Sequence, residues 1–182
     1  AVIVLGRPFP ASAMEGGSPA YTLVRDRLSD TMSALAEALA ARLGSRGAAT
    51  RVQRSLGCTR EGDGRFRAAL SLKHAAVLAG LGAIGRNTLL VNERFGNMVW
   101  LSAVLTDLPL AADPPMAYDP CPPACRACAN ACPAGALNGP WLAQLTCYDH
   151  AYRVSDGAES IHCWACRRAC PNWLGLRNSG IG

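Results

Sequence analysis

Eight of the nine cysteines lie between Cys121 and Cys170, at spacings typical of ligands to iron–sulfur clusters. They form two groups, and each group ends in the pattern C-x2-C-x3-C-P. The first group is Cys121, Cys125, Cys128 and Cys132, and the second is Cys147, Cys163, Cys166 and Cys170. Because four thiolates hold one [4Fe–4S] cluster, the eight cysteines predict two such clusters and one-electron chemistry.

The order of the cysteines predicts which of them share a cluster. In two-cluster ferredoxins the last cysteine of each run binds the other cluster. The same crossing here would give one set of Cys121, Cys125, Cys128 and Cys170, and another of Cys132, Cys147, Cys163 and Cys166. Three residues separate Cys121 from Cys125 where the usual run has two, so we expect that loop to bulge. Residues 148–162, which precede Cys163, are predicted to be a surface loop.

Two other kinds of site use cysteines at similar spacings. Pairs of C-x2-C that lie fifteen to twenty residues apart are typical of zinc ribbons. A disulfide framework requires an oxidising compartment, and disulfide-dense domains are usually much shorter than 182 residues. The crowding of four cysteines into residues 121–132 favours iron–sulfur clusters, and both alternatives stay open. Cys58 lies outside the two groups and is predicted to be a partly buried structural thiol.

The composition indicates a folded protein with one substantial core and a small cofactor-containing domain. Half of the residues are hydrophobic and 17% are charged, which argues against disorder. No run of eighteen apolar residues occurs, so no membrane association is expected. The formal charge of +5 counts thiols as neutral, and thiolate-bound clusters would reduce it, so no nucleic-acid partner is expected either. No secretory signal is visible, and we expect a cytoplasmic protein; a removed leader stays open because the chain begins without Met.

The hydrophobic pattern predicts an α/β arrangement before the cysteines. A long amphipathic helix is predicted over residues 20–43, with Ser18 as its N-cap, because apolar residues recur at three- and four-residue steps from Val24 to Leu43. Strands are predicted over residues 1–5, 49–53, 88–91 and 98–106, a loop over 56–67, and a second helix over 68–79. Four prolines mark residues 108–120 as a linker. The predicted domains are therefore residues 1–112 and residues 113–182.

Three segments together resemble the epoxyqueuosine reductase family, which has relatives among the corrinoid reductive dehalogenases. The first segment, residues 73–91, contains Ala-Gly-Leu-Gly, and the second, residues 96–110, contains Leu-Thr-Asp. The third consists of the two cysteine groups, including the separate Cys147. The resemblance implies an α+β protein, in which a nitroreductase-related α/β layer is followed by a ferredoxin-like domain with two [4Fe–4S] clusters. It also implies a cobalamin-facing cavity between the two parts.

By position in the family's motif, seven residues are candidates to line that cavity: Ala79, Gly80, Leu81, Gly82, Gly85, Arg86 and Asn87. Independently of the family, glycines would let the backbone approach a planar group, or would simply end a helix and form a turn. Both interpretations stay open. The same stretch contains a G-x-G-x-x-G string, but the string follows a helix and precedes a strand. That is the reverse of the dinucleotide-binding order, so we reject this motif.

Three departures from the family put its activity in doubt. Epoxyqueuosine reductases have a catalytic aspartate about a dozen residues before Ala-Gly-Leu-Gly, where residues 64–68 of this chain contain no acid and Asp63 is displaced. A proton donor is needed to remove an oxygen substituent. The chain is also about half the family's usual length and ends without a helical-repeat extension to bind tRNA. We therefore expect a shortened paralogue, with no catalytic residue assigned.

Three functions follow from these patterns. The leading interpretation is an iron–sulfur redox protein that relays electrons from a flavoprotein or ferredoxin to a corrinoid or to another protein. The second is a cobalamin-dependent reductase of a small organic substrate. The third is a non-catalytic module that binds a corrinoid or a structural metal. The chain is thus oxidoreductase-like in its motifs, and whether it is itself an enzyme stays open.

Overall fold

The computed structural model describes residues 1–138 and 141–176. Within these residues the chain forms five α-helices, nine short strands and a 3-10 helix at Ala11–Met14. The helices are α1 (Gly17–Gly44), α2 (Leu72–Leu78), α3 (Ala127–Asn130), α4 (Gln144–Ala151) and α5 (Ala165–Arg168). The strands are β1 (Val2–Pro8), β2 (Thr50–Gln53), β3 (Thr59–Arg60), β4 (Phe66–Arg67), β5 (Ala83–Ile84), β6 (Leu90–Val91), β7 (Val99–Thr106), β8 (Tyr152–Ser155) and β9 (Ala158–Ile161).

The main sheet has three antiparallel strands in the order β1-β7-β2. Strand β7 lies in the centre of the sheet, and its residues are the most deeply buried. Its Val104 is fully buried against Ala36 and Ala40 of α1. The prediction of a strand at the start of the chain is confirmed, and β1 continues to Pro8. Strand β1 is an edge strand, and Val2 is 40% exposed.

The long helix is confirmed, but its cap and its buried face differ from the prediction. Gly16 is the N-cap, and Ser18 lies inside the first turn, where its hydroxyl donates to the Ile161 carbonyl at 2.6 Å. The buried face of α1 consists of Tyr21, Arg25, Ser29, Met32, Ala36 and Ala40. Of the predicted apolar stripe, Met32 is buried and Leu35 is 49% exposed. The other members are partly buried and pack against the core: Val24, Leu28, Leu39 and Leu43. Small alanines let α1 approach the sheet closely, which a leucine face would prevent.

The segment between β2 and β7 is more structured than predicted. Residues 56–67, predicted to be a loop, contain the β3-β4 hairpin, and α2 is shorter than the predicted helix. Strand β6 pairs with β5, in the glycine-rich segment, and not with β7. Cys58 is exposed, so the prediction of a partly buried thiol is wrong.

The cysteine region packs against α1. Residues 148–162 form the end of α4 and the β8-β9 hairpin, so the prediction of a loop is wrong, but residues 153–158 are exposed and the predicted surface position is confirmed. The Ile161 amide donates to the Thr22 hydroxyl of α1 at 2.9 Å, and the Tyr21 and Trp164 rings stack at 4.6 Å. One hydrophobic cluster therefore includes residues from both predicted domains. Within the described part of the chain, no helix combines the length and the apolarity needed to cross a membrane.

Candidate functional site

Four cysteines line one cavity of about 730 Å³ and are here named site I: Cys121, Cys125, Cys128 and Cys170. The first two lie in the loop before α3, Cys128 lies within α3, and Cys170 follows α5. The Cys125 amide donates to the Pro122 carbonyl at 2.8 Å, so the extra residue of this loop is accommodated in a turn. Site I therefore combines three cysteines of the first group with the last cysteine of the second.

The remaining four cysteines of the two groups are here named site II: Cys132, Cys147, Cys163 and Cys166. Burial raises the pKa of the Cys147 thiol, and the neighbouring thiols of Cys132 and Cys163 raise it further. Burial likewise raises the pKa of Cys166 to about 11, although the positive charge of Arg167 opposes this. Cys147 and Cys163 also lie close enough to Cys166 to affect its pKa. The structure thus brings Cys121, Cys125, Cys128 and Cys170 to one cavity, and the assignment of the eight cysteines to two clusters stays a prediction.

The donor set at each site fits an iron–sulfur cluster. None of the nine cysteines forms a disulfide, and all nine lie in the described part of the chain. Among the described residues, no three His, Cys, Asp or Glu side chains converge as the ligands of one metal ion do. In a four-iron cluster each thiolate binds one of four irons at alternate corners of a cube, so the thiolates lie farther apart than the ligands of a single ion. Because buried thiols with raised pKa values are protonated, cluster binding at these sites would release protons.

Arg86 and Asn87 are the two motif residues that line the site I cavity. The Arg86 amide donates to the Cys121 sulfur at 3.3 Å, and the Asn87 side-chain amide donates to the Cys166 carbonyl at 3.4 Å. Asn87 is 4% exposed, so its polar side chain is held inside the protein by these contacts. This segment therefore joins the α/β part to both cysteine groups.

The other five motif residues do not lie in that cavity. Ala79 and Leu81 line a separate cavity of about 780 Å³ between β1 and α2. Gly80 has a φ of +70° and packs against the Pro114 carbonyl, and Gly82 packs against the Val91 carbonyl, so neither position has room for a side chain. A Cβ atom at Gly85 would lie 3.6 Å from the Cys121 sulfur. The structure thus divides the seven residues between two cavities and a close-packed turn.

Asn97 is a buried residue that the sequence analysis did not assign to the site, and it contacts the buried Arg167. Asn97 is 1% exposed, and its side-chain amide donates to the Arg167 carbonyl at 3.0 Å. The Arg167 guanidinium donates to the Asn97 carbonyl and lies 3.8 Å from the Met98 sulfur. Burial raises the pKa of Cys170, and a hydrogen bond from the Asn97 side chain opposes that rise. A single asparagine before a strand has no spacing pattern that could have identified this role.

Asp63 is the acid closest in sequence to the position where the family has its catalytic aspartate. It is exposed, and both of its carboxylate oxygens accept hydrogen bonds from Arg67, at 3.0 and 2.7 Å. The Arg67 hydrogen bond holds the pKa of Asp63 at about 2. The Asp63 carboxyl is therefore ionised at neutral pH and has no proton to donate.

Comparison with known proteins gives partial matches to two kinds of reductase. No protein-family model matches the chain. Over 69 residues the chain is 42% identical to the epoxyqueuosine reductase of Pseudomonas aeruginosa. The aligned segment covers 38% of this chain and 19% of that protein. Over 66 residues it is 46% identical to a tetrachloroethene reductive dehalogenase of Desulfitobacterium hafniense, covering 35% of this chain and 12% of that protein. The predicted resemblance is confirmed. It applies to less than a third of each relative's length.

Solved structures of the same two kinds share the fold. The epoxyqueuosine reductase of Streptococcus thermophilus has a TM-score of 0.63 and 20% identity, covering 97% of this chain and 50% of that one. A reductive dehalogenase with a suggested B12-dependent mechanism has a TM-score of 0.58 and 23% identity, covering 74% of this chain and 19% of that one. An epoxyqueuosine reductase bound to a tRNA stem loop has a TM-score of 0.59 and 17% identity, covering 97% and 50%. These TM-scores establish a similar mixed helix-and-strand fold, and the curated relatives described above are reductases.

Proposed function

We propose that this protein is an iron–sulfur redox protein that relays single electrons through two [4Fe–4S] clusters, one at site I and one at site II. The observation that carries the proposal is the cavity in which Cys170 of the second group meets Cys121, Cys125 and Cys128 of the first. Each site receives three cysteines from one group and one from the other. This is the ligand exchange of two-cluster ferredoxins, and each bound cluster would supply a one-electron redox centre.

The proposed architecture is a nitroreductase-related α/β layer over residues 1–112 and a ferredoxin-like domain over residues 113–182. The β1-β7-β2 sheet with α1 packed across it supports the first part. Two short helices, α3 and α5, that each carry a cysteine support the second. Because the chain contains free thiols at both sites, a reducing compartment such as the cytoplasm is the proposed location.

The chain's own residues would set the reduction potentials of the two sites. The Arg86 amide donates a hydrogen bond to the Cys121 sulfur, and the Asn97 side chain does the same for Cys170. The positive charge of buried Arg167 lies near Cys166. Hydrogen bonds and positive charge stabilise the more negative, reduced state of a cluster, so these groups would raise both potentials.

Metal and sulfide analysis of anaerobically purified protein tests the proposal. We expect brown protein with about eight irons and about eight sulfides per chain, as two four-iron clusters require. Reduction with dithionite should bleach the visible absorbance and produce the electron paramagnetic resonance signals of reduced clusters. Well-folded, colourless protein without iron would overturn the proposal. So would about one or two zinc ions per chain, which would support a structural metal module.

A cobalamin-dependent reductase is the second candidate. The cavity at site I also contains Arg86, Asn87 and Tyr118, whose polar groups suit the amide and phosphate substituents of a corrinoid. Corrin absorbance and thermal stability should both respond when cobalamin is added anaerobically, because a ligand that binds the folded state stabilises it. If neither responds, this candidate and a corrinoid-carrier role are both wrong.

The proposed electron donor is a reduced flavoprotein or ferredoxin, and no nucleic-acid partner is proposed. The tRNA-bound neighbour makes RNA the natural competitor. Fluorescence anisotropy with a labelled tRNA stem loop, at two salt concentrations, separates the two possibilities. Saturable binding that persists at the higher salt concentration would contradict our expectation, since purely electrostatic binding weakens steeply with salt.

A further inference from the structure

Two exposed arginines converge on a single carbonyl beside site I. The Arg86 Nη2 atom donates to the Pro123 carbonyl at 3.0 Å. The Arg126 Nη1 atom donates to the same carbonyl at 3.3 Å and to the Cys125 carbonyl at 3.0 Å. Pro123 belongs to the loop that is one residue longer than in the usual cysteine run. The unusual loop length therefore brings two positive charges together.

The two arginines line a surface cavity of about 480 Å³ that also reaches the site I cysteines Cys125 and Cys128. Its remaining lining residues are Ala129, Asn130, Leu137 and Asn138, so none of the described residues in the lining is acidic. Neither arginine has a carboxylate partner among residues 1–138 and 141–176. Two like charges at short range repel each other, and an external anion would relieve that repulsion.

The acidic residues near site I lie along a different cavity. Glu93 and Asp119 line the larger cavity that contains all four site I cysteines. The Asp119 carboxylate is engaged there, where it accepts a hydrogen bond from the Cys121 amide at 2.9 Å. Site I therefore has one face where Glu93 and Asp119 accompany Arg86, and a second face whose only described charges are Arg86 and Arg126.

We propose that Arg86 and Arg126 form the docking site for the carboxylate-rich surface of an acidic electron-transfer protein. This inference rests on the proposed function and assigns the partner of site I. A guanidinium has five N–H donors, and the carbonyl bonds described above use one nitrogen of each arginine, so others are available for carboxylates. Weak redox encounters use small interfaces, and complementary charge gives them speed and orientation.

One electron passes between the two proteins at this interface. The reduced cofactor of the docked protein loses one electron, and the oxidised cluster at site I gains it. No bond forms or breaks, and no proton moves with the electron. The short path through Cys125 or Cys128 is the reason to place the encounter at this cavity and not at the exposed arginines elsewhere.

Binding of an oxidised, acidic flavodoxin tests the inference without turnover. The affinity is measured by isothermal titration calorimetry at low ionic strength and again at about 0.5 M salt, where exposed charges are screened. We expect Arg86→Gln and Arg126→Gln each to weaken binding about two- to fivefold, and the double variant about tenfold or more, with a weaker salt dependence. Stopped-flow reduction by reduced flavodoxin should slow in the same order.

Arg153→Gln is the matched control. Arg153 is also exposed and also donates to backbone carbonyls, those of Asp149, His150 and Tyr152, but it lies in the β8-β9 hairpin. This variant removes the same charge and should leave binding unchanged. Equal weakening by all three single variants would overturn the inference, as would parental affinity in the double variant. The inference would also be overturned if the parent did not bind flavodoxin. The same holds if millimolar phosphate displaced the flavodoxin equally well from the parent and from the Arg86 and Arg126 variants.

Dithionite separates this inference from the proposed function. If dithionite bleaches the parent and the variants equally, the clusters are intact and a loss of flavodoxin binding belongs to the docking site. If dithionite bleaches none of them, the proposed function fails regardless of binding. Arg126→Gln keeps the test decisive if Arg86→Gln disturbs folding. The Arg126 hydrogen bonds described above reach only carbonyls that are one and three residues away in the chain.

Discussion

The two cysteine sites differ in how the rest of the protein surrounds them. Site I lines a large cavity, and two exposed arginines lie at its edge. Site II lies beside aromatic rings: Tyr148, which follows Cys147, stacks on Tyr152 and packs against Phe66, each at 4.7 Å. The Gln144 side chain accepts a hydrogen bond from the Phe66 amide at 2.8 Å and donates one to the Phe66 carbonyl at 3.2 Å. Site I is therefore the site with exposed arginines at its edge, and site II is the site beside packed aromatic rings. The four cysteines of site II are all half-buried, whereas Cys128 and Cys170 of site I are buried.

This difference gives the two clusters different roles in the proposed relay. A redox centre that meets a partner must lie near a surface on which charges can steer the encounter. Cys166 of site II lies near Cys128 of site I, so an electron has a short route between them. Electrons would thus enter at site I and pass to site II.

The largest expected effect is the selective loss of one cluster. Cys170→Ser should remove the site I cluster and lower the iron content from about eight to about four per chain. Its paramagnetic resonance spectrum should then match that of Cys125→Ser and differ from that of Cys163→Ser. Cys58→Ser, at the exposed ninth cysteine, is the control and should keep all of the iron. A Cys170→Ser spectrum that matches Cys163→Ser would refute the division into these two sites.

The sequence predicted the elements that have strong local patterns. The long helix, the β2 strand and the β7 strand follow from the pattern of apolar residues. The assignment of the cysteines to two clusters, which comes from a ligand pattern, stays a prediction. The buried face of α1 could not be predicted, because Arg25 and Ser29 are buried through partners far away in the chain. Arg25 binds Glu159, and Ser29 accepts a hydrogen bond from Trp100. Hydrophobic periodicity contains no information about such tertiary hydrogen bonds.

Asn97→Ala should weaken site I more than site II. The Arg167 carbonyl would lose its buried donor, which costs about 1–3 kcal/mol, and Cys170 would lose its hydrogen bond. We expect a lower thermal midpoint and faster release of about half of the iron to a chelator. The control is Asn130→Ala, since Asn130 is exposed. Equal acceleration for both halves of the iron would show that Asn97 supports the fold in general and not site I.

Arg25→Met should have the opposite selectivity. Arg25 joins α1 to β9 through Glu159 at 3.2 Å, and Glu159 accepts a hydrogen bond from Tyr148, the neighbour of Cys147. Because Glu159 is partly exposed, the loss should be only about 1–2 kcal/mol, with faster iron release from site II. Arg54→Met is the matched control, as the Arg54–Glu37 pair at 2.5 Å is exposed on both sides. Faster release from site I alone would contradict the comparison.

The smallest effect concerns the protein without clusters at alkaline pH. Burial raises the pKa of Cys166 from 9.0 to about 11, so the folded protein keeps this proton at pH values where the unfolded chain has lost it. The stabilisation is complete below about pH 9 and is lost as the pH rises towards about 11. Thermal midpoints of the apoprotein should therefore fall across this range, and Cys166→Ala should reduce the slope. Holoprotein should lack this contribution, because a cluster-bound Cys166 is already a thiolate. A midpoint that does not change between pH 8 and 11 would contradict this prediction. It would show that Cys166 is exposed to water in the apoprotein, so that its burial depends on the bound cluster and not on packing alone.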